Sequence, residues 1–210
     1  MNRYVITAAA VSILVLTACG SNKDASKANF KTAVQAYLDT KPGACVPLPD
    51  KEMPFQIEKN GGFFRDRLTR ADALVEAGLL VRHDAEVPNL PGSTRMVPGF
   101  EYNLTDDGKK QLVKAAGGNI ANWDGFCAGK YKVVEVVNFT DPADAFGTKL
   151  SQVNYKYKVE DPAAWAKSPK VLAAFTQLAK DMKDDASDKA ILVSTNEGWM
   201  HERLFKAKGG

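Results

Sequence analysis

The chain has 210 residues, with 28 basic and 25 acidic side chains and a formal charge of +3. That near-balance excludes the basic excess of a typical nucleic-acid binder, and 45% apolar with 25% charged residues excludes a disordered chain. The length suits one sizeable domain or two small ones. The first residues fall into three parts: Met1-Asn2-Arg3 with one positive charge, an uncharged run from Tyr4 to Leu16 that is apolar apart from Thr7 and Ser12, and the small residues Thr17-Ala18 before Cys19. This is the layout of a secretory signal. The apolar run is shorter than the about 20 residues that cross a bilayer core, so a transmembrane helix is not expected.

Leu16-Thr17-Ala18-Cys19 resembles the lipobox of bacterial lipoproteins: an aliphatic residue, a small residue, Ala or Gly, then Cys. The resemblance implies that residues 1–18 are removed, that a diacylglycerol is attached to the Cys19 thiol, and that the new amino terminus is acylated. Cysteine suits the task because its thiolate is a good nucleophile, and several acyl chains anchor stably where one is marginal. Gly20, in place of the Asp that marks inner-membrane retention in such proteins, implies the outer membrane, with the body facing the periplasm. The polar stretch from Gly20 to Lys27 reads as a flexible tether, so residues 19–27 are expected to link lipid to body.

With Cys19 lipidated, Cys45 and Cys127 remain. An even pair in an oxidising compartment predicts a disulfide, closing a loop of about 80 residues. Two separate buried thiols are the alternative.

"KANFKTAVQAYLDT" places Phe30, Val34, Tyr37 and Leu38 on one helical face, and Lys41-Pro42-Gly43 ends it. "CVPLPDKEMP" reads as an irregular or extended connection and "FQIE" as a short strand. "FFRDRLTRADALVEAGLL" puts Phe64, Leu68, Ala71, Leu74, Val75 and Leu79 at helical spacing, with Gly78 as C-terminal cap. "LLVRHDAEV" and "FEYNLT" read as strands around a Pro/Gly-rich loop, and Thr105 is a good N-cap for a helix over "DDGKKQLVKAA". Helix, hairpin and trailing helix over residues 28–117 resemble a winged helix-turn-helix domain, the hairpin being the wing. DNA-binding members of that group direct basic residues at the major groove, and Arg65, Arg67, Arg70, Arg82 and Arg95 lie here. An exported protein meets no chromosome, so these arginines are expected to form a solvated face, and nucleic acid is not an expected partner.

Residues 118–210 change character. "KYKVVEVVNFT" and the alternating "TKLSQVNYKYKVE" read as strands, the second half-buried with Val153, Tyr155, Tyr157 and Val159 inward. "KVLAAFTQLAKDM" has Val171, Leu172, Phe175, Leu178, Ala179 and Met182 on one helical face. "AILVST" and "WMHERLF" are expected to pair as a hairpin around Asn196-Glu197-Gly198. The fold class expected is α+β: a winged-helix-like N-terminal lobe, then a bent antiparallel sheet packed on a helix. That second lobe is faintly similar to cystatin-like modules.

Chemistry is sparse. The two histidines, His83 and His201, neighbour Asp84 and Glu202. Adjacent strand residues point to opposite faces, so neither pair makes a dyad, and neither lies in a metal motif. No phosphate-binding glycine loop or nucleophile elbow occurs. Trp123, Trp165 and Trp199 read as core anchors before they read as a sugar platform. Lys156 and Lys158, with Lys149 nearby, form a basic stripe on one strand that could contact an anionic ligand or protect a sheet edge. The expectation is a non-catalytic envelope protein, without cofactor or metal, held to the membrane through Cys19 and serving as an accessory to an envelope protein partner. Two alternatives stand beside it: a binding module for a cell-wall or other envelope ligand, and a hydrolase whose site is assembled from distant segments.

Overall fold

A computed structural model describes residues 21–60, 65–90, 92–116, 122–145 and 147–209. The signal segment and the Leu16-Thr17-Ala18-Cys19 motif lie outside the described residues, as do Phe64 and the glycine pairs at 61–62 and 117–118.

The architecture is α+β, with three antiparallel sheets. Helix α1 (Lys27–Leu38) starts at Ser26, whose hydroxyl accepts the Asn29 amide at 3.3 Å. Its buried face is Phe30, Ala33, Val34 and Leu38. Residues 41–43 then turn the chain into β1 (Cys45–Pro47). Gly43 has φ +127°, and a Cβ there would meet the Gly129 carbonyl oxygen at 2.3 Å, so only glycine fits the close approach.

Strands β2 (Phe55–Glu58), β3 (Leu80–Pro88) and β4 (Met96–Leu104) form a sheet in the order β2-β4-β3. Helix α2 (Arg65–Glu76) precedes β3 and ends as expected at Gly78, whose φ is +73°. Helix α3 (Asp106–Gln111) is capped by Thr105, which accepts the Gly108 amide at 2.9 Å. It is shorter than its polar sequence suggests. Leu112–Val113 leave it as β5 and pair with β6 (Gly125–Cys127), which pairs in turn with β1.

The large sheet runs β11-β10-β9-β7, from β7 (Lys130–Phe139), β9 (Thr148–Glu160), β10 (Ser187–Thr195) and β11 (Gly198–His201), with β8 (Ala143–Ala145) added beside β9. Ser151, Val153, Tyr155 and Val159 of β9 are buried, following the alternation read from the sequence. Three expectations about local structure are corrected. The helix expected over residues 170–182 breaks at Phe175 (φ −122°, ψ 81°) into α4 (Pro169–Ala174) and α5 (Thr176–Asp181). "WMHERLF" is a strand only to His201, where α6 (Glu202–Gly209) begins. The supposedly loose tether is held from Ser21: Asn22 donates to the Glu197 carbonyl at 2.8 Å, the Trp199 indole donates to the Lys23 carbonyl at 3.0 Å, and Asn29 donates to the Ser21 and Asp24 carbonyls.

The helices also exchange places relative to the expected division at residue 117. Helix α1 covers the large sheet, where its apolar face packs with Val133, Val136, Val153, Tyr155, Ala190 and Leu192. The helices of the second half join the core of the first: Val171, Phe175 and Leu178 share a cluster with Ala71, Leu74 and Leu79. Lys170 and Glu76 form an ion pair between α4 and α2. Helical periodicity shows that a face must be buried, and the partner is then chosen by which apolar surface remains uncovered.

The Cys45 and Cys127 sulfurs are bonded, and the two residues stand opposite each other where β1 pairs with β6. The bond closes a sequence separation of 82 residues. In the chain-entropy account such a loop is worth about 4 kcal/mol. Reduction, or the double substitution Cys45→Ser with Cys127→Ser, is expected to lower the stability in urea by several kcal/mol and to raise the m-value, because the unlinked unfolded chain exposes more surface. A change below about 1 kcal/mol in equilibrium unfolding would contradict this.

Candidate ligand-binding cleft

A cleft of about 720 Å³ opens where the C-terminal end of α1 and the following turn meet β7, β9 and α5. Tyr131 of β7 and Tyr157 of β9 form its floor, their rings edge to face with centroids 5.6 Å apart. Each directs its hydroxyl at Asp181, at 2.7 and 2.8 Å, and Gln177 donates to the same carboxylate at 2.9 Å. Gln177 and Asp181 are one helical turn apart on α5, which brings both to this floor. Asp181 is only 3% exposed. A charge that deep is tolerated because three donors satisfy it. Burial, then the hydrogen bond to Asp181, pushes the Tyr131 and Tyr157 hydroxyls far above their ordinary range, so both remain protonated.

Two further tyrosines line the same space. Tyr155 is buried beside Tyr157, their ring centroids 6.0 Å apart. Tyr37, from the last turn of α1, stacks on His201 with ring centroids 3.7 Å apart, and the Lys41 ammonium stands 4.8 Å from the Tyr37 centroid. Arg203 and Asp188 complete that side. On the opposite side Phe175 faces inward, with the Arg70 guanidinium 6.0 Å from its ring centre. The break between α4 and α5 is what places Phe175 there.

His201 is 5% exposed, and its Nδ1 accepts the Arg203 backbone amide at 3.2 Å. Burial lowers its pKa, Arg203 and Lys41 add to that effect, and Glu202 and Asp188 oppose it. Asp188, Tyr155, Tyr37 and Arg203 also border a smaller hollow of about 160 Å³ that His201 lines.

Most of the residues singled out in the sequence lie elsewhere. Lys156 pairs with Glu135 at 2.9 Å, Lys158 stands opposite Lys132, and Lys149 stands opposite Asp144. Lys149 and Lys156 are separated by about 23 Å of extended strand, and none of the three lines the cleft. His83 is exposed on β3, a strand that contributes none of the residues named for the cleft. Trp165 is a core residue against Phe126, and Trp199 packs on Phe30. Of the arginines, Arg67 pairs with Asp50, Arg82 pairs with Asp72 at 2.6 Å, and Arg70 faces the cleft. They are therefore not a uniform solvated face. Among the described residues, Cys45 is the one of the expected lipidation, disulfide and lysine contact positions that lies in the cleft wall. The sequence offered a signal for the rest in the Tyr155/Tyr157 alternation and the Gln177/Asp181 spacing, but not for their convergence. Among the described residues no group of three or more His, Cys, Asp or Glu side chains could hold a metal ion, and no helix is long and apolar enough to cross a membrane.

The chain matches no known protein family, no curated protein and no solved structure.

Asp181→Asn is expected to destabilise the fold by about 1–3 kcal/mol in urea unfolding, because two buried hydroxyls and an amide lose a charged acceptor. A neutral effect would show that the three donors find water instead. The sign for His201 follows from its lowered pKa. The unfolded chain takes up a proton near the ordinary value of about 6.5 while the folded chain does not. Stability is therefore present above that pH and is lost as the pH falls below it towards the folded value. Melting curves between pH 7.5 and 5 are expected to show the loss, and His201→Phe, which keeps the stack on Tyr37, is expected to flatten it.

Proposed function

We propose that this is a lipid-anchored protein of the bacterial outer membrane, cut and acylated at Cys19, that binds a ligand without catalysis in the tyrosine-lined cleft. The observation that carries the reading is the position of the cleft relative to the anchor. The chain is pinned to the β10–β11 turn at Asn22 and Lys23. Cys19 lies two residues before Ser21, a reach of at most about 7 Å. The cleft lies at the other end of α1, about 18 Å along a 12-residue helix. An acylated Cys19 would thus hold the body close to the bilayer with the cleft turned towards the periplasm and its soluble or wall-bound ligands.

The absence of catalysis in this reading rests on how the polar groups are used. Both Asp181 oxygens already accept hydrogen bonds, so the carboxylate is not free to act as a base. The His201 Nδ1 is taken by backbone, and its ring is held in the stack. The two lobes serve as scaffold. The order β2-β4-β3, with α2 before the hairpin, supports the winged-helix likeness of the first. The helix α1 covered by a four-strand meander supports the cystatin likeness of the second. With Arg67 and Arg82 engaged by Asp50 and Asp72, the first lobe is read as structural and not as a DNA reader.

A second reading, a protein partner, draws on β7. Its register shifts leave Val134 and Val137 without a partner residue on β9, and both side chains are exposed. Mass spectrometry of protein purified from its own envelope tests the first reading. A di- or triacylated N-terminal Cys19 and a co-purifying small mass under native conditions are expected. The lipid is expected to vanish in Cys19→Ala, and the small mass in Ala174→Trp, which fills the cleft. An unmodified chain beginning at Met1 would sink the anchoring, and an equal ligand load in Ala174→Trp would sink the cleft.

A further inference from the structure

We infer that the cleft binds a hydroxyl-rich sugar ring bearing a carboxylate, an inference that rests on the cleft being the ligand site. The first reason is the hydrogen-bond inventory of the floor. Tyr131 and Tyr157 each spend their only proton on Asp181. What remains on both phenol oxygens is acceptor capacity. A ligand that satisfies them must bring donors, and sugar hydroxyls do so. Asp181 itself is a positioning residue here: its oxygens are occupied, and its effect is to fix which way the tyrosine lone pairs face.

The second reason is the amount of aromatic surface. Tyr37, Tyr131, Tyr155, Tyr157 and Phe175 border one space. Aromatic faces meet the C–H faces of a pyranose while its rim of hydroxyls reaches polar groups, the combination of apolar body and few placed polar groups that ligand clefts use. The volume of about 720 Å³ lies within the range of about 300–1,000 Å³ typical of such sites, with room for more than a single ring.

The third reason is charge. Aromatic cages with nearby carboxylates also suit quaternary ammonium ligands, so the balance of the lining decides. Lys41, Arg70 and Arg203 outnumber Asp181 and Asp188 in the lining, and the oxygens of Asp181 are already occupied by three neutral donors. Lys41 stands over the Tyr37 ring, and Arg203, whose backbone amide donates to the stacked His201, lines the same end of the cleft. An acid on the sugar falls between these two cations, and a fixed positive charge would be repelled there.

The test is isothermal titration calorimetry on the full chain in detergent with three probes: glucuronate, glucose and choline. Glucuronate is expected to bind at least tenfold more tightly than glucose. That gap is expected to close in the double variant Lys41→Gln with Arg203→Gln. Tyr157→Phe keeps the ring and removes the acceptor; it is expected to lower the melting temperature, because Asp181 loses a donor, and to weaken both sugars about tenfold when titrated at a temperature where the variant is fully folded. Choline binding more tightly than either sugar would overturn the proposal, as would the absence of heat with glucuronate. If a small mass still co-purifies and is lost in Ala174→Trp while glucuronate gives no heat, the sugar assignment fails and the cleft remains the ligand site. If neither is seen, both fail.

Discussion

Cys45 stands opposite Cys127 where β1 pairs with β6, and at this crossing the two halves of the chain become one body. The short strands on either side could not hold such a pairing alone: β1 and β6 have three residues each. Isolated pairs of this length are marginal in water. The covalent bond removes the entropic cost of bringing distant segments together. Once it is made, Val46 and Phe126 lie side by side in the same core as Trp165 and Leu74. Cys45 is also in the wall of the cleft, so the crossing that joins the halves fixes one side of the site.

The cleft in turn is defined by a buried charge shared among three elements. Asp181 on α5 receives hydroxyls from β7 and β9 and an amide from its own helix. A carboxylate in that position is costly unless every oxygen is used. The same requirement that makes it tolerable fixes the geometry of the floor, since moving any one donor leaves a buried charge underserved. Satisfaction of the buried charge and rigidity of the floor are here the same property.

The legibility of the sequence follows from the range of each signal. Gly78, Thr105 and the alternation of β9 were readable because cap, turn and pleat are set by neighbours in the chain. Phe30, Val34 and Leu38 were readable as a buried face, but not the surface they meet, because periodicity carries no address. The break at Phe175 and the strand-to-helix change at Glu202 escaped because tertiary packing overrides weak local preference there. Tyr131, Tyr157 and Asp181 are separated by tens of residues, and nothing short of the fold brings them together. The lysines of β9 drew notice for their spacing, yet Lys156 is answered by Glu135 across the strand pair.

The exchange of helices between the two halves bears on how the chain is made. Helix α1 is among the first elements to be synthesised, and its partners on β10 and β11 are among the last. Contacts so distant in sequence form slowly, because the intervening loop must close before they return any stabilisation. The first half likewise awaits Val171, Phe175 and Leu178 to finish its core. A nascent chain of this design therefore cannot settle into its native state until nearly the whole of it has emerged.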